Sequence, residues 1–324
     1  MDRRLFLGAM AATATPLARA SGKSAYPSRP IRWLVSYPAG GGADWFTRVL
    51  TEKVSAHLKQ PIIIENRPGA AGTISLANLA QSAPDGYSVI TGDMGTITIS
   101  PLLLKSLPYD PVKAFTPVSL TARGPVIWVV NQEKVGVKTF QEFVALAKSK
   151  PGQISYGSFG EGSFTHVMTE LLCEQAGIKL LHVPYKGAAP AQQDLLGGQI
   201  DAMFVPHAIW AAIEPTGRAR ALAVSSRSRA PQLPSIPSIA EQGVPDYDIS
   251  PWQGVLVPAG TPTVIVDQLR AAIDVALVDP DVVSKLTDAG YVLKSSSTAE
   301  FEREIRDSMS TWEQVLARAN IAKQ

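Results

Sequence analysis

Ile31-Arg-Trp-Leu-Val-Ser-Tyr-Pro-Ala-Gly-Gly-Gly-Ala-Asp44 is the stretch that decides the fold. Residues Ile31 to Ser36 are a short β-rich run and predict a strand. Tyr37 to Asp44 is a tight glycine loop. From Trp45 to Leu58 the spacing turns helical, with Phe46, Val49, Leu50, Val54 and Leu58 on one face. A strand that runs through glycines onto a helix start leaves backbone N–H groups unpaired at the positive end of the helix dipole. Glycines let an anion come close to that backbone, so a carboxylate or phosphate fits there. A plain βα turn with Asp44 as N-cap fits the same residues. The loop is not a P-loop, because no Gly-Lys-Ser/Thr follows, and a dinucleotide fingerprint fails at Trp45.

The pattern repeats outward. Pro61 to Glu65 predicts a strand, Asn66 to Gly69 a turn, Gly72 to Ala83 a helix, and Tyr87 to Thr91 a third strand. Such alternation predicts a parallel sheet with helices on its faces. After Pro111 the chain runs extended. A second block follows: strand Val126–Val130, helix Thr139–Ser149 with Thr139 as N-cap, and strand Ile154–Tyr156. Gly157 to Gly162 is a second glycine loop, and Ser163 to Ala176 a helix stopped by Gly177. Strands Leu181–Tyr185, Ile200–Val205 and Ala219–Ser225 complete the block, with a helix from Pro190 to Leu196 opened by proline. The halves share no sequence repeat. Residues 226–250 read as irregular. Trp252–Val257 is a strand, and 264–278, 280–289 and 298–322 are helical, the first with Thr261 or Thr263 as cap.

The N-terminus is an address. A basic start precedes a 13-residue apolar stretch, Leu5 to Leu17, and Ala18-Arg19-Ala20 supplies a small-x-small cleavage pattern. This is a signal peptide over residues 1–20, too short to span a membrane. Arg3-Arg4-Leu5-Phe6-Leu7 also resembles the twin-arginine export motif, with Asp2 where Ser or Thr is usual. No cysteine follows the cleavage site, so a lipoprotein anchor is not indicated. The body is expected to be exported into a periplasm.

Net charge is +2 over 324 residues, and beyond residue 20 there remain 27 basic and 27 acidic residues. A neutral body argues against nucleic acid as partner. Any anion must be held by local chemistry. Cys173 stands alone, so no intramolecular disulfide forms, and four scattered histidines give no metal pattern. An enzyme would need a nucleophile and a base. Gly-x-Ser-x-Gly is nearly present at Ser158, but Tyr156 replaces the first glycine. His166 reads as a helix-face residue, His182 and His207 as structural or rim residues, and Cys173 as a core residue. No cofactor site is expected.

Ordered motifs along the body now resemble one family. They are Tyr37-Pro-Ala-Gly-Gly-Gly-Ala-Asp44, Glu65-Asn-Arg-Pro-Gly69, Pro84-Asp-Gly-Tyr87, Leu107-Pro-Tyr-Asp110, Ser155-Tyr-Gly-Ser158, His182-Val-Pro-Tyr-Lys-Gly187, Arg220-Ala-Leu-Ala-Val224, Trp252-Gln-Gly254 and Pro258-Ala-Gly-Thr-Pro262. Together they resemble the Bug, or TctC-like, solute-binding receptors of tripartite tricarboxylate transporters. The resemblance implies an α/β, two-lobed type II periplasmic-binding-protein (Venus-flytrap) fold. Lobe 1 would comprise residues 26–124 plus 251–324, and lobe 2 residues 125–250. It implies capture of a small organic carboxylate by a monomer and delivery to membrane subunits of the transporter, with no catalysis. A solute sensor signalling to a membrane kinase would carry the same motifs. Family members hold a ligand carboxylate between the first glycine loop and lobe-2 loops, commonly through water. Carried over, Tyr37, Ala39, Gly40, Gly41, Gly42 and Asp44 form the lobe-1 side, with Gly92, Asp93, Met94 and Thr96 beside them. Ser158, Gly160, Gly162, Ser163 and His166 form the lobe-2 side, with Lys186, Gly187 and His207 near. Trp45 and the Pro206–Trp210 segment depart from the family pattern. Trp210 or Phe159 in the cleft would favour an aromatic ligand by stacking; in the core, they leave a small di- or tricarboxylate. Arg48 is the arginine nearest the first loop.

Overall fold

The computed structural model describes residues 26–319, 321 and 323; the expected signal peptide, residues 1–20, lies outside them. In chain order the elements begin β1 (Ile31–Val35), α1 (Gly42–Leu58), β2 (Ile62–Asn66), α2 (Thr73–Ala80) and β3 (Ser88–Asp93). Gly95–Ile99 winds as a π-helix into α3 (Ser100–Leu103), and β4 is Phe115–Arg123. Next come β5 (Val126–Asn131), α4 (Gln132–Val135), α5 (Phe140–Ser149), β6 (Ser155–Ser158), α6 (Phe164–Ala176), β7 (Leu181–Pro184), α7 (Ala188–Leu196), β8 (Ala202–Pro206), α8 (His207–Ile213) and β9 (Ala219–Val224). The chain ends with β10 (Trp252–Pro258), α9 (Thr263–Leu277), α10 (Pro280–Asp288), β11 (Val292–Leu293) and α11 (Thr298–Arg318).

These strands form two sheets, ordered β11-β4-β10-β3-β1-β2 and β7-β6-β8-β5-β9. β1 pairs parallel with β2 and β3, and β6 parallel with β7 and β8. The sheets are nevertheless mixed, which corrects the all-parallel expectation. β10 runs antiparallel to β3 and β4, and β5 antiparallel to β8 and β9. A helical crossover forces a strand to return parallel. β5 and β10 instead enter from the other sheet, β5 after Gly124-Pro125 and β10 after residues 225–251, so no crossover sets their direction. Apart from β11 the sheets share one plan, second–first–third strand, then a reversed strand, then one more.

Strand alternation divides the first sheet's side chains between two layers. Ile31, Trp33, Val89, Val255 and Val257 pack against Phe46, Val49, Leu50 and Val54 of α1 and Leu269 and Ile273 of α9. Leu34, Ile90, Leu120 and Leu256 face Leu76 and Leu79 of α2 and Phe301, Ile305 and Trp312 of α11. Gly254 is needed there, because a Cβ would lie 2.1 Å from Phe301. That second cluster continues into the other sheet through Trp128, Phe143, Met168, Phe204 and Tyr247. At the far end of α11, Arg318 pairs with Glu174 of α6.

Caps explain several boundaries. Thr139 and Glu142 form a reciprocal capping box, as do Ser297 and Glu300. Ser163 caps α6 and Gly177 ends it at φ 61°. The expected threonine caps of α9 are absent: its N-cap is Pro262, and the Thr261 hydroxyl turns back to donate to Pro258 O at 2.7 Å. α1 starts at Gly42, before Trp45, so Asp44 lies inside the first turn and is not the N-cap.

Candidate functional site

The two glycine loops follow the C-terminal ends of β1 and β6, the first parallel strand of each sheet. In open α/β sheets that end is where ligands bind. At the first loop, α1 is capped by Gly41 with no side-chain hydrogen bond. The N–H groups of Gly42, Ala43 and Asp44 have no acceptor within the helix. Tyr37, Ala39, Gly40 and Gly42 are exposed and Ala43 is half-buried, while Asp44 is buried.

Asp44 builds this loop from beneath. It is only 2% exposed. Its carboxylate accepts from Gly40 N–H at 2.8 Å, Arg48 Nε at 2.9 Å and Asn66 Nδ2 at 2.9 Å. The Arg48 hydrogen bond, aided by Gly40 and Asn66 against burial, lowers its carboxyl to about 2. Gly40 takes φ 81°, which suits glycine. Arg48 is thereby held to Asp44 rather than left free as an anion clamp.

Tyr37 connects the loop to the segment after β3. Its hydroxyl reaches the turn at Gly95 beside Asp93, where burial raises it well above the ordinary tyrosine value, while the residue as a whole is 38% exposed. Asp93 Oδ1 accepts from Thr96 N–H at 2.9 Å, and Asp93 N–H donates to the Thr96 hydroxyl at 3.2 Å. Burial raises the Asp93 carboxyl against these bonds. Thr96 is thus a buried partner of Asp93, and Met94, 4% exposed, belongs to the core. Gly92 is closed off by Ile97. The same segment ends at Leu103, whose Cδ1 lies 2.5 Å from where a Cβ on Gly162 would sit. Residues 93–103 therefore touch both loops, the first at Tyr37 and the second at Gly162.

The second loop is folded on itself. Ser158 is fully buried. Its hydroxyl lies 3.0 Å from Gly160 O and 2.7 Å from His182 Nε2. Phe159 N–H donates to Thr165 Oγ1 at 2.9 Å, and Gly162 N–H to His166 Nδ1 at 3.0 Å. The half-buried Ser163 hydroxyl accepts from His166 N–H. Phe164 and Thr165 N–H open the first turn of α6. Gly187 caps α7 at φ 110°, beside the exposed Lys186. His207 starts α8, with its Cβ 2.2 Å from where a Cβ on Gly290 would sit. Its Nδ1 is buried without a partner.

Trp210 is 4% exposed, and Phe159 packs half-buried on the same core. Trp45 is 39% exposed. The aromatic-ligand case therefore loses Trp210 as a wall, while Phe159 keeps part of its ring open at the second loop. Sequence reading passed over His182, Gln253 and Tyr291. Gln253 pairs with Asp93 across the β10–β3 ladder and donates to the Tyr291 hydroxyl at 3.1 Å. Gln253 lies in the quoted Trp252-Gln-Gly254 motif, but nothing in the sequence marks Tyr291, which sits just before the two-residue strand β11. His182 lies in a motif already quoted.

The sequence pattern of the tripartite tricarboxylate transporter family receptor matches residues 46–321. The chain belongs to this family. BugT of Bordetella pertussis is 32% identical over 288 residues, covering 89% of this chain and 88% of BugT. R. palustris Rpa4515, solved with adipate, is 32% identical at a TM-score of 0.80, covering 92% of this chain and 99% of that one. MatC from Rhodopseudomonas palustris, with bound malate, is 31% identical at a TM-score of 0.76, covering 90% and 100%. The Bug/TctC-like receptor therefore has the two-lobed α/β fold of periplasmic binding proteins. Among its described residues no helix is long and apolar enough to cross a membrane.

Proposed function

We propose that this receptor captures a small organic carboxylate in the periplasm, between residues 26–124 plus 251–324 on one side and 125–250 on the other. It then delivers the ligand, unchanged, to the membrane subunits of a tripartite tricarboxylate transporter. The observation that carries the reading is the start of α1 at the exposed Gly42, beside the exposed Tyr37 and with no side-chain cap on its first N–H groups. The first turn of α6, joined to it through residues 93–103, supplies the opposing donors. Helix-start N–H groups neutralise an anion without a full positive charge, and lobe closure excludes water. The contacts proposed are Tyr37, Ala39, the N–H groups of Gly42 to Asp44, Ser163 and His207. Asp44, Thr96, Ser158, Gly162 and His166 shape the loops behind them. Solved relatives with adipate and malate support the carboxylate class.

A thermal-shift panel of citrate-like, dicarboxylic, amino-acid and aromatic acids, each with a neutral amide analogue, tests this. A ligand at 100 times its dissociation constant adds about 2.7 kcal/mol to stability. The reading expects a shift with an acid that its amide does not give. Equal shifts from acid and amide, or none from any acid with stripped and folded protein, refute it.

A further inference from the structure

Two histidines lie behind the second glycine loop and tie both of its ends. His166 Nδ1 accepts the Gly162 N–H at 3.0 Å, a bond that exists only while Nδ1 is unprotonated. His182 of β7 lies flat on that ring, with centroids 3.8 Å apart and planes at 10°. Its Nε2 is 2.7 Å from the Ser158 hydroxyl. Tyr156 closes the stack on His182 at 4.9 Å, and its own hydroxyl donates to Glu170 at 2.6 Å. Ser158 is where the loop begins and Gly162 is where it meets Leu103 of the other lobe. Two stacked imidazoles thus hold the two ends of one loop, and two imidazolium rings in face-to-face contact repel each other.

We propose that His166 and His182 are positioning residues for the carboxylate loop: His166 holds Gly162 only while its Nδ1 is unprotonated, and His182, stacked on it and bonded to Ser158, leaves no room for a charge on both rings. Acidification then frees the loop and weakens ligand binding. This rests on the carboxylate reading of the cleft. The groups facing the pair are few. The loop brings Glu161, which favours a charged His182. β6 brings Tyr156 and Ser158; α6 brings Glu170, held by Tyr156, with Cys173 near it. The other lobe brings the apolar Leu103. Burial outweighs Glu161 and lowers His182, while burial and the neighbouring ring lower His166 to about 4. A freed ring returns toward the ordinary value of about 6.5. Protons therefore favour the freed loop. The tie is intact above about pH 6.5 and is lost as pH falls toward the lowered values.

The first arm is a proton NMR titration of the histidine rings in ligand-free residues 21–324. Both rings are expected to titrate below the ordinary histidine value, and His166 to move upward in His182→Gln. Titration of both at 6.5 or above overturns the proposal. The second arm is calorimetry with malate and adipate at pH 7.5 and 5.0, on wild type, His182→Gln and His166→Asn. The acids' own protonation is common to all three. Wild-type affinity is expected to fall at least tenfold further than that of His182→Gln; equal falls overturn the proposal. If His182→Gln does not fold, His166→Asn, whose amide oxygen accepts from the Gly162 N–H and takes no proton in this range, takes its place and is expected to show the smaller fall. If neither acid binds at pH 7.5, the carboxylate reading fails for these ligands, while the ring titration still decides the tie.

Discussion

The two glycine loops occupy matching places in two sheets of one plan, yet they are held by opposite chemistry. The first is exposed and pinned by the buried Asp44 carboxylate, which binds Gly40, Arg48 and Asn66. The second is largely buried and pinned by neutral imidazoles at Ser158 and Gly162. An anion holds one and an uncharged base the other. The difference teaches that an anion site need not be lined by charge: each anchor ties one loop N–H, Gly40 or Gly162, and leaves the helix starts as the donors. It also separates the two lobes' responses to acid.

The largest expected effect is at the first loop. Asp44→Ala strands a backbone N–H, a guanidinium and an amide, each losing a hydrogen bond to a charged acceptor. The cost is about 3 kcal/mol, given about 1.5–3 kcal/mol per such bond and partial recovery by water. Denaturant unfolding at constant m-value reads it, and a loss below about 1 kcal/mol would show that the carboxylate is not the anchor. Next comes a glycine pair. Gly162→Ala meets both a φ of 72° and Leu103 at 2.5 Å, whereas Gly40→Ala meets a φ of 81° and nothing within 4 Å. The first should cost about 2–3 kcal/mol and the second about 1 kcal/mol, the strain of the left-handed region alone. Equal costs would break the contrast between a packed loop and an open one.

Acid sharpens the comparison further. Histidines with lowered folded values contribute stability that is fully present above about pH 6.5 and is lost as pH falls toward about 4. Asp44, lowered to about 2, keeps its contribution above its ordinary 3.8 and loses it only as pH falls through 2. Melting temperature should therefore drop between pH 7 and 5, and His182→Gln should flatten that drop while Asp44→Asn should not. The smallest effect is at the α6 cap: Ser163→Ala should cost about 1 kcal/mol of stability. A wild-type melting temperature after that change would mean the hydroxyl is spent elsewhere.

Much of this was legible in the sequence because it is local. Phe46, Val49, Leu50 and Val54 face the core as their spacing requires, and Thr139, Ser163 and Gly177 sit at the helix ends they mark. What escaped depends on chain return. β5 and β10 look like any other apolar strands, and only entry from the other sheet reverses them. Asp44 fits an N-cap one helix turn too late, because Gly41 takes that place without a side chain. Met94 and Thr96 follow a strand end as site residues would, yet the π-helical turn after Asp93 rolls both inward. His182 meets Ser158 only because β7 lies beside β6.

The most direct test of the central claim is a crystal structure of residues 21–324 with the tightest acid from the panel. The account predicts a ligand carboxylate within hydrogen-bond reach, directly or through one water, of the Gly42–Asp44 N–H groups, with the α6 start closing on the same molecule. A ligand seated away from both helix starts, or one whose carboxylate points to solvent while its neutral end fills the cleft, would contradict it.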